Sequence, residues 1–182
     1  MEERARESWT LADGLVRGAA PRKRAAKKSK NQVRVPQAPL SQLPAKFRPG
    51  DFDLRVKRSR SGLGLFAGQF IPRDACVIEY TGNVMTEDEY QASNSVYIFD
   101  IGKPGALDGS PRWNKARYIN HSCVPNCYPD VRKRRVFIFA KRDIQPGEEL
   151  NYNYGVEYFN HHLAKICTCP KCLKKRERAA AK

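Results

Sequence analysis

The stretch "RYINHSCVPNC", residues 117–127, sets an Asn-His pair, two cysteines and a second Asn side by side, and further on the chain reads "CTCPKC" (167–172). Cys167, Cys169 and Cys172 form C-x-C-x-x-C. Three thiolates this close repel one another unless a divalent cation holds them, and tetrahedral zinc takes four soft ligands. Composition offers Cys123, Cys127, Cys76, His161 and His162 as the fourth donor and does not choose among them. Residues 156–172 read as poor in apolar side chains, so a metal is expected to supply the ordering free energy there. The plainer alternative is a set of reduced surface thiols in a lysine-rich tail.

Around this chemistry the charge is uneven. Residues 1–50 carry 12 Lys/Arg against 4 Asp/Glu, a net of +8, and residues 173–182 carry 5 against 1, a net of +4, leaving +3 of the total +15 for the middle. The length suits one compact domain with basic tails. The run "PRKRAAKKSK" (21–30) suits nucleic acid or another acidic surface, or simply a solvated arm. No apolar run of about 18 residues is present, so no membrane span is expected. No charged-then-apolar leader opens the chain, so an intracellular protein is expected, in the nucleus or in a bacterial cytoplasm. There, six cysteines point to thiols or metal ligands rather than disulfides.

Residues 35–50, "VPQAPLSQLPAKFRPG", hold four prolines and read as an extended linker closing a disordered basic arm over 1–50. From residue 51 the pattern becomes short strands: "FDLRVKR", "LFAGQF", "CVIEYTG", "VYIFDI" and "RRVFIFAKR", each rich in β-branched and aromatic residues and bounded by turn formers. In the last, Val136, Ile138 and Ala140 alternate with Phe137 and Phe139, which predicts a strand covered on both faces. Helix is scarce. Thr86 and Glu89 form a capping box that opens "TEDEYQAS", "WNKARYIN" suits a short turn, and Pro146-Gly147 fits the centre of a type II turn. The expectation is a mostly-β domain of small curled sheets with an irregular C-terminal end.

The order "SGLGLFA" (61–67), "VIEYTGNV" (77–84), "VYIFDI" (96–101), "ARYINHSCVPNC" (116–127), "GEELNYNYG" (147–155), "CTCPKC" resembles a SET domain followed by a post-SET zinc segment. That family consists of S-adenosylmethionine-dependent protein-lysine methyltransferases, and the match runs over roughly residues 51–172. The resemblance implies a SET domain over 51–155, a zinc segment over 156–173 and a basic tail over 174–182. It implies a knot-like threading of the Asn-His segment beside the last tyrosine motif. Gly62, Leu63 and Gly64 map to the loop that lets the cofactor approach the backbone. Tyr97 maps to an aromatic beside the cofactor, and Asn120 and His121 to the pair holding it. Zinc is implied at Cys123, Cys167, Cys169 and Cys172, with Cys127 in reserve. Read singly, the glycines are turn glycines, the tyrosines core aromatics and His121 an interior histidine; their joint order carries the resemblance.

The chemistry agrees with those types. A lysine amine, whose pKa in water is about 10.4, must lose its proton before it attacks a methyl group. A narrow apolar channel disfavours the ammonium, and fixed hydroxyls align the amine. The resemblance places Tyr154 beside the transfer point, Tyr80 in the channel wall, and Tyr152 at a position where Tyr rather than Phe favours mono- or dimethylation. Three departures are visible: the shorter spacing before Cys172, Asn153 where the family often has Asp, and a short insert between Val84 and Tyr97. The expected substrate is a histone tail or another basic chromatin protein. A silent SET fold acting as a chromatin or nucleic-acid adaptor, and methylation of a non-histone protein including the chain's own "RAAKKSK", are the alternatives.

Overall fold

The computed structural model describes residues 37–102 and 105–181; "PRKRAAKKSK" and most of the basic arm lie outside the described residues. In chain order the strands and helices are β1 (Leu54–Ser59), β2 (Gly62–Ala67), β3 (Cys76–Tyr80), β4 (Asn83–Met85), α1 (Glu87–Ala92), β5 (Ile98–Asp100) and β6 (Ala106–Asp108). They continue with β7 (Asn120–His121), β8 (Cys127–Arg132), β9 (Arg135–Ala140), β10 (Asn151–Tyr152), α2 (Val156–Tyr158), which runs into a π-helical turn at Phe159–Leu163, and α3 (Pro170–Ala180).

Four small sheets result among the described residues. β1 and β2 form an antiparallel hairpin, β3-β9-β8 and β4-β6-β5 are three-stranded antiparallel sheets, and β7 pairs with β10 in parallel. The five predicted strands are all present. The capping box also forms: Thr86 Oγ1 accepts from the Glu89 amide and the Glu89 carboxylate accepts from the Thr86 amide, opening α1. Lys115–Tyr118 is a 3₁₀ turn, and Glu148 N–H donates to Gln145 O across Pro146-Gly147. β8 was hidden in the sequence by Pro129 and Asp130, and its two-residue turn to β9 uses Lys133 and Arg134 at positive φ, where Gly or Asn is usual.

β9 is the two-faced strand expected. Val136, Ile138 and Ala140 join the main core, while Phe137 and Phe139 form a second cluster with Leu43, Phe47 and Cys76. The cover over that second face is the segment expected to be a linker. Residues 37–50 fold into 3₁₀ turns at Leu40–Gln42 and Ala45–Phe47, each set up by a preceding Pro. Phe47 is 2% exposed and meets Phe137 and Phe139 edge-on at 5.3 and 5.5 Å. Gln37 Nε2 donates to Arg134 O, and Arg135 donates to Ala38 O. Pro39 and Pro44 therefore shape a clip on the sheet, and the folded unit begins before residue 51. Burying Leu43 and Phe47 stabilises this clip by about 1.5–3 kcal/mol each.

The C-terminal end also differs from expectation. Tyr158 and Leu163 are buried in the main core, and Phe159 packs against it, so 156–163 anchors by aromatic packing as well. The stretch expected as a basic tail from 174 belongs to α3, with Pro170 at its first turn. Among the described residues no helix is long and apolar enough to cross a membrane.

Candidate functional site

The parallel pairing of β7 with β10, Asn120 opposite Asn151 and His121 opposite Tyr152, brings the two quoted motifs together. Asn120 faces a cleft of about 450 Å³, whose walls include Ser61, His121, Glu149 and Thr168. Its Nδ2 lies 2.7 Å from Glu149 Oε1, 3.0 Å from Leu63 O and 3.2 Å from Ser59 Oγ. Leu63 and both flanking glycines sit in β2, and Gly62 has a φ of 104°. A Cβ at Gly64 would lie 2.5 Å from Glu149 Oε1, so the missing side chain makes room for that carboxylate. Glu149 belongs to the quoted "GEEL", yet sequence reasoning assigns it no role; a lone Glu in a turn carries no spacing signal.

His121 links the cleft to the cysteines. Its Nδ1 accepts from the Tyr154 amide at 3.2 Å, which leaves the proton on Nε2, 3.3 Å from Cys123 Sγ. Burial lowers its pKa to about 4, so the ring is neutral. Tyr154 and Phe159 flank it at 5.2 and 5.4 Å.

Cys123, Cys167, Cys169 and Cys172 place their Sγ atoms within 4.8 Å of one another, and the Cys123–Cys172 pair is 3.6 Å apart. Zinc–sulfur bonds of about 2.3 Å in a tetrahedron set sulfurs roughly 3.8 Å apart, so the donor set fits zinc. Burial opposes ionisation at Cys169, yet the amides of Cys172 and Cys123, with the Cys167 and Cys172 thiols, outweigh it and lower that thiol to about 7. Cys127 is fully buried in the main core, Cys76 lies under the clip, and His161 and His162 stay outside the cluster. Of the five donors that composition left open, Cys123 is the one whose sulfur lies with those of Cys167, Cys169 and Cys172.

Behind the cleft lies a tyrosine cage. Tyr80 meets Phe99 at 4.7 Å, Phe99 meets Tyr152 at 5.9 Å, Tyr152 meets Tyr154 at 5.0 Å, and Tyr154 meets Tyr158 at 5.5 Å. Tyr80 donates to Tyr97 O at 3.1 Å and Tyr154 to Ile119 O at 2.7 Å. The Tyr152 hydroxyl is buried and has no partner among the described residues. Burial pushes all three phenols well above their usual pKa, so each keeps its proton. Tyr97 is not among the residues lining the cleft: it is buried, with the Arg117 guanidinium 4.2 Å above its ring. Arg117 and Gly109, whose Cβ would strike the Tyr80 ring at 2.1 Å, are supports that sequence reasoning missed. Ser61 and Thr168, 3.0 Å apart through their hydroxyls, likewise join the β1–β2 turn to the cysteine segment.

Residues 62–155 match the SET domain family. The histone-lysine N-methyltransferase trr of Drosophila melanogaster is 38% identical over 127 residues, 62% of this chain and 5% of that protein. An H3 lysine-36 specific histone-lysine N-methyltransferase of Mycosarcoma maydis is 35% identical over 138 residues, 68% of this chain and 14% of that protein. An H3 lysine-4 specific one of Schizosaccharomyces pombe is 34% identical over 154 residues, 72% and 17%. The crystal structure of KRYPTONITE in complex with mCHG DNA and SAH aligns with a TM-score of 0.50 at 35% identity, covering 58% of this chain and 24% of that one. The chain thus spans a small fraction of the length of these relatives.

Proposed function

The chain belongs to the SET-domain family, and from that premise we propose that it is a protein-lysine N-methyltransferase. The donor is S-adenosylmethionine, the substrate a histone tail or another basic chromatin protein, and the product a mono- or dimethyl-lysine. The observation that carries this is the cage: three protonated phenols in an apolar box directly behind the Asn120–His121 wall, one with an unused hydroxyl. The chain's relatives named as histone-lysine methyltransferases support the same reaction.

Bound S-adenosylmethionine supplies a methyl group on a sulfonium sulfur. The chain's own part is to bind it and to ready the lysine. Asn120 and His121, with the backbone of Gly62, Leu63 and Gly64, form the donor side, and Tyr97 supports the cage from the core. An amine entering among Tyr80, Phe99, Tyr152 and Tyr154 leaves bulk water, which favours its neutral form. No strong base is required, and none of the three phenols is one. Because Tyr154 gives its proton to Ile119 O, its oxygen keeps lone pairs to hold the amine in line, a proximity effect. Tyr152 offers its unpaired hydroxyl to the amine or to a water, filling the volume of a third methyl. Zinc on the four cysteines would tie the tail to the Asn-His segment. The working place of such an enzyme is the nucleus, on chromatin.

The test is mass-resolved methyl transfer to core histones, to nucleosomes and to no added substrate, beside Tyr154→Phe. One or two methyl groups on a histone lysine, lost in the variant, bear the proposal out. A gain confined to the chain itself moves it to self-methylation. Absence of both transfer and S-adenosylmethionine binding leaves the adaptor.

A further inference from the structure

The function above uses only Cys172 of α3. Its inward side holds Cys172 and Leu173, both half-buried, and Arg176, which donates to the carbonyls of Lys165 and Cys167. The opposite side carries Lys171, Lys174, Lys175 and Arg178, all exposed. That spacing of i, i+3, i+4 and i+7 puts four positive charges on one face, spanning roughly 100° of the helix. Among the described residues none of the four makes an ion pair. Like charges at these spacings repel, and an ordinary solvated face would interleave acids. The one acid of α3, Glu177, lies off the stripe.

We infer that this face of α3 is a docking surface for the phosphate backbone of duplex DNA. The stripe is about 10 Å long, from the helical rise, and a duplex presents about six charges over that length. α3 contains no aromatic residue, so it lacks the stacking platform that single strands use. Its placement is fixed from two directions. Cys169 and Cys172 lie in or beside its first turn, within the cysteine cluster, and Thr168 bonds Ser61 on the β1–β2 turn. The choice of DNA over duplex RNA rests on the chromatin substrate proposed above. The charge argument does not.

The experiment uses the full chain without donor or histone, so it reads separately from methyl transfer. Fluorescence anisotropy with a short mixed-sequence DNA duplex is followed from about 50 to about 200 mM salt. Lys171→Ala, Lys174→Ala, Lys175→Ala and Arg178→Ala are combined, since Ala keeps the helix. The expected result is a tenfold or larger loss of affinity at low salt and a log–log salt slope shallower by up to about 3.6, at about 0.9 per phosphate contact. A companion variant with the three lysines changed to Arg retains both. Unchanged affinity and slope in the Ala variant overturn the inference. So does tighter binding to a duplex RNA of equal length, or a stripe effect seen only with polyglutamate, which would make the partner an acidic protein.

Discussion

Tyr152→Phe and Tyr154→Phe make the same chemical change two residues apart, and the structure gives them opposite signs. The Tyr152 hydroxyl is buried without a partner, and leaving such a group unsatisfied costs about 1–3 kcal/mol. Removing it should stabilise the protein by a similar amount. The Tyr154 hydroxyl donates to Ile119 O at 2.7 Å. Deleting it forfeits about 0.5–1.5 kcal/mol and orphans a buried carbonyl. The two variants should therefore differ by roughly 1.5–4.5 kcal/mol, the sum of those ranges. Urea unfolding of the metal-loaded protein without donor measures this as midpoints on opposite sides of the parent, with the same slope. In the transfer assay Tyr152→Phe should remain active and shift product toward higher methylation, while Tyr154→Phe loses turnover. Equal destabilisation by both variants would refute the reasoning, because the Tyr152 hydroxyl would then be as well satisfied as its neighbour.

Cys172→Ser should abolish stoichiometric zinc, and hydrogen exchange should show protection lost over 164–180 but retained in β3, β8 and β9. Phe47→Ala should cost about 3–5 kcal/mol in urea unfolding, whereas a true linker would lose almost nothing. Gly64→Ala drives a methyl against Glu149 Oε1; paired with Glu149→Ala it should be less than additive, with a coupling of about 0.5–3 kcal/mol by double-mutant cycle. Burial, with Glu79 adding, pushes the Cys76 thiol from 9.0 up to about 12. A raised folded pKa contributes stability that is full below the unfolded value and lost as pH rises towards the folded one, so stability should decline between pH 9 and 12. Cys76→Ala should flatten that decline in unfolding curves taken at increasing pH.

The strands were legible where apolar residues recur at strand period or fill both faces, as in β3 and β9, and three of the four clustered cysteines were legible because C-x-C-x-x-C is a local pattern. What was hidden depends on distant neighbours. Phe47 in a Pro-rich run looks like a stray aromatic until β9 supplies Phe137 and Phe139 to receive it. Gly64 reads as a flexible turn glycine, and only the fold shows Glu149 lying where its side chain would be. α3 was missed because its apolar content is small: its inward side is held by thiols and by Arg176 rather than by a hydrophobic stripe. Tyr97 was placed by motif order alone, and its contact with the Arg117 guanidinium could be seen only in the fold.

The clip at 37–50 also settles how force and chain enter this domain. A pull applied at Gln37 meets the bonds from Gln37 to Arg134 and from Arg135 to Ala38 first, and then Leu43 and Phe47, which pack on the outer face of β3-β9-β8, with Tyr80 on the far side. The entry point thus acts as a strain relief. A load taken up at the clip is borne by β9 and its neighbours before the tyrosine cage, and a fusion joined at residue 51 would discard that protection along with the clip.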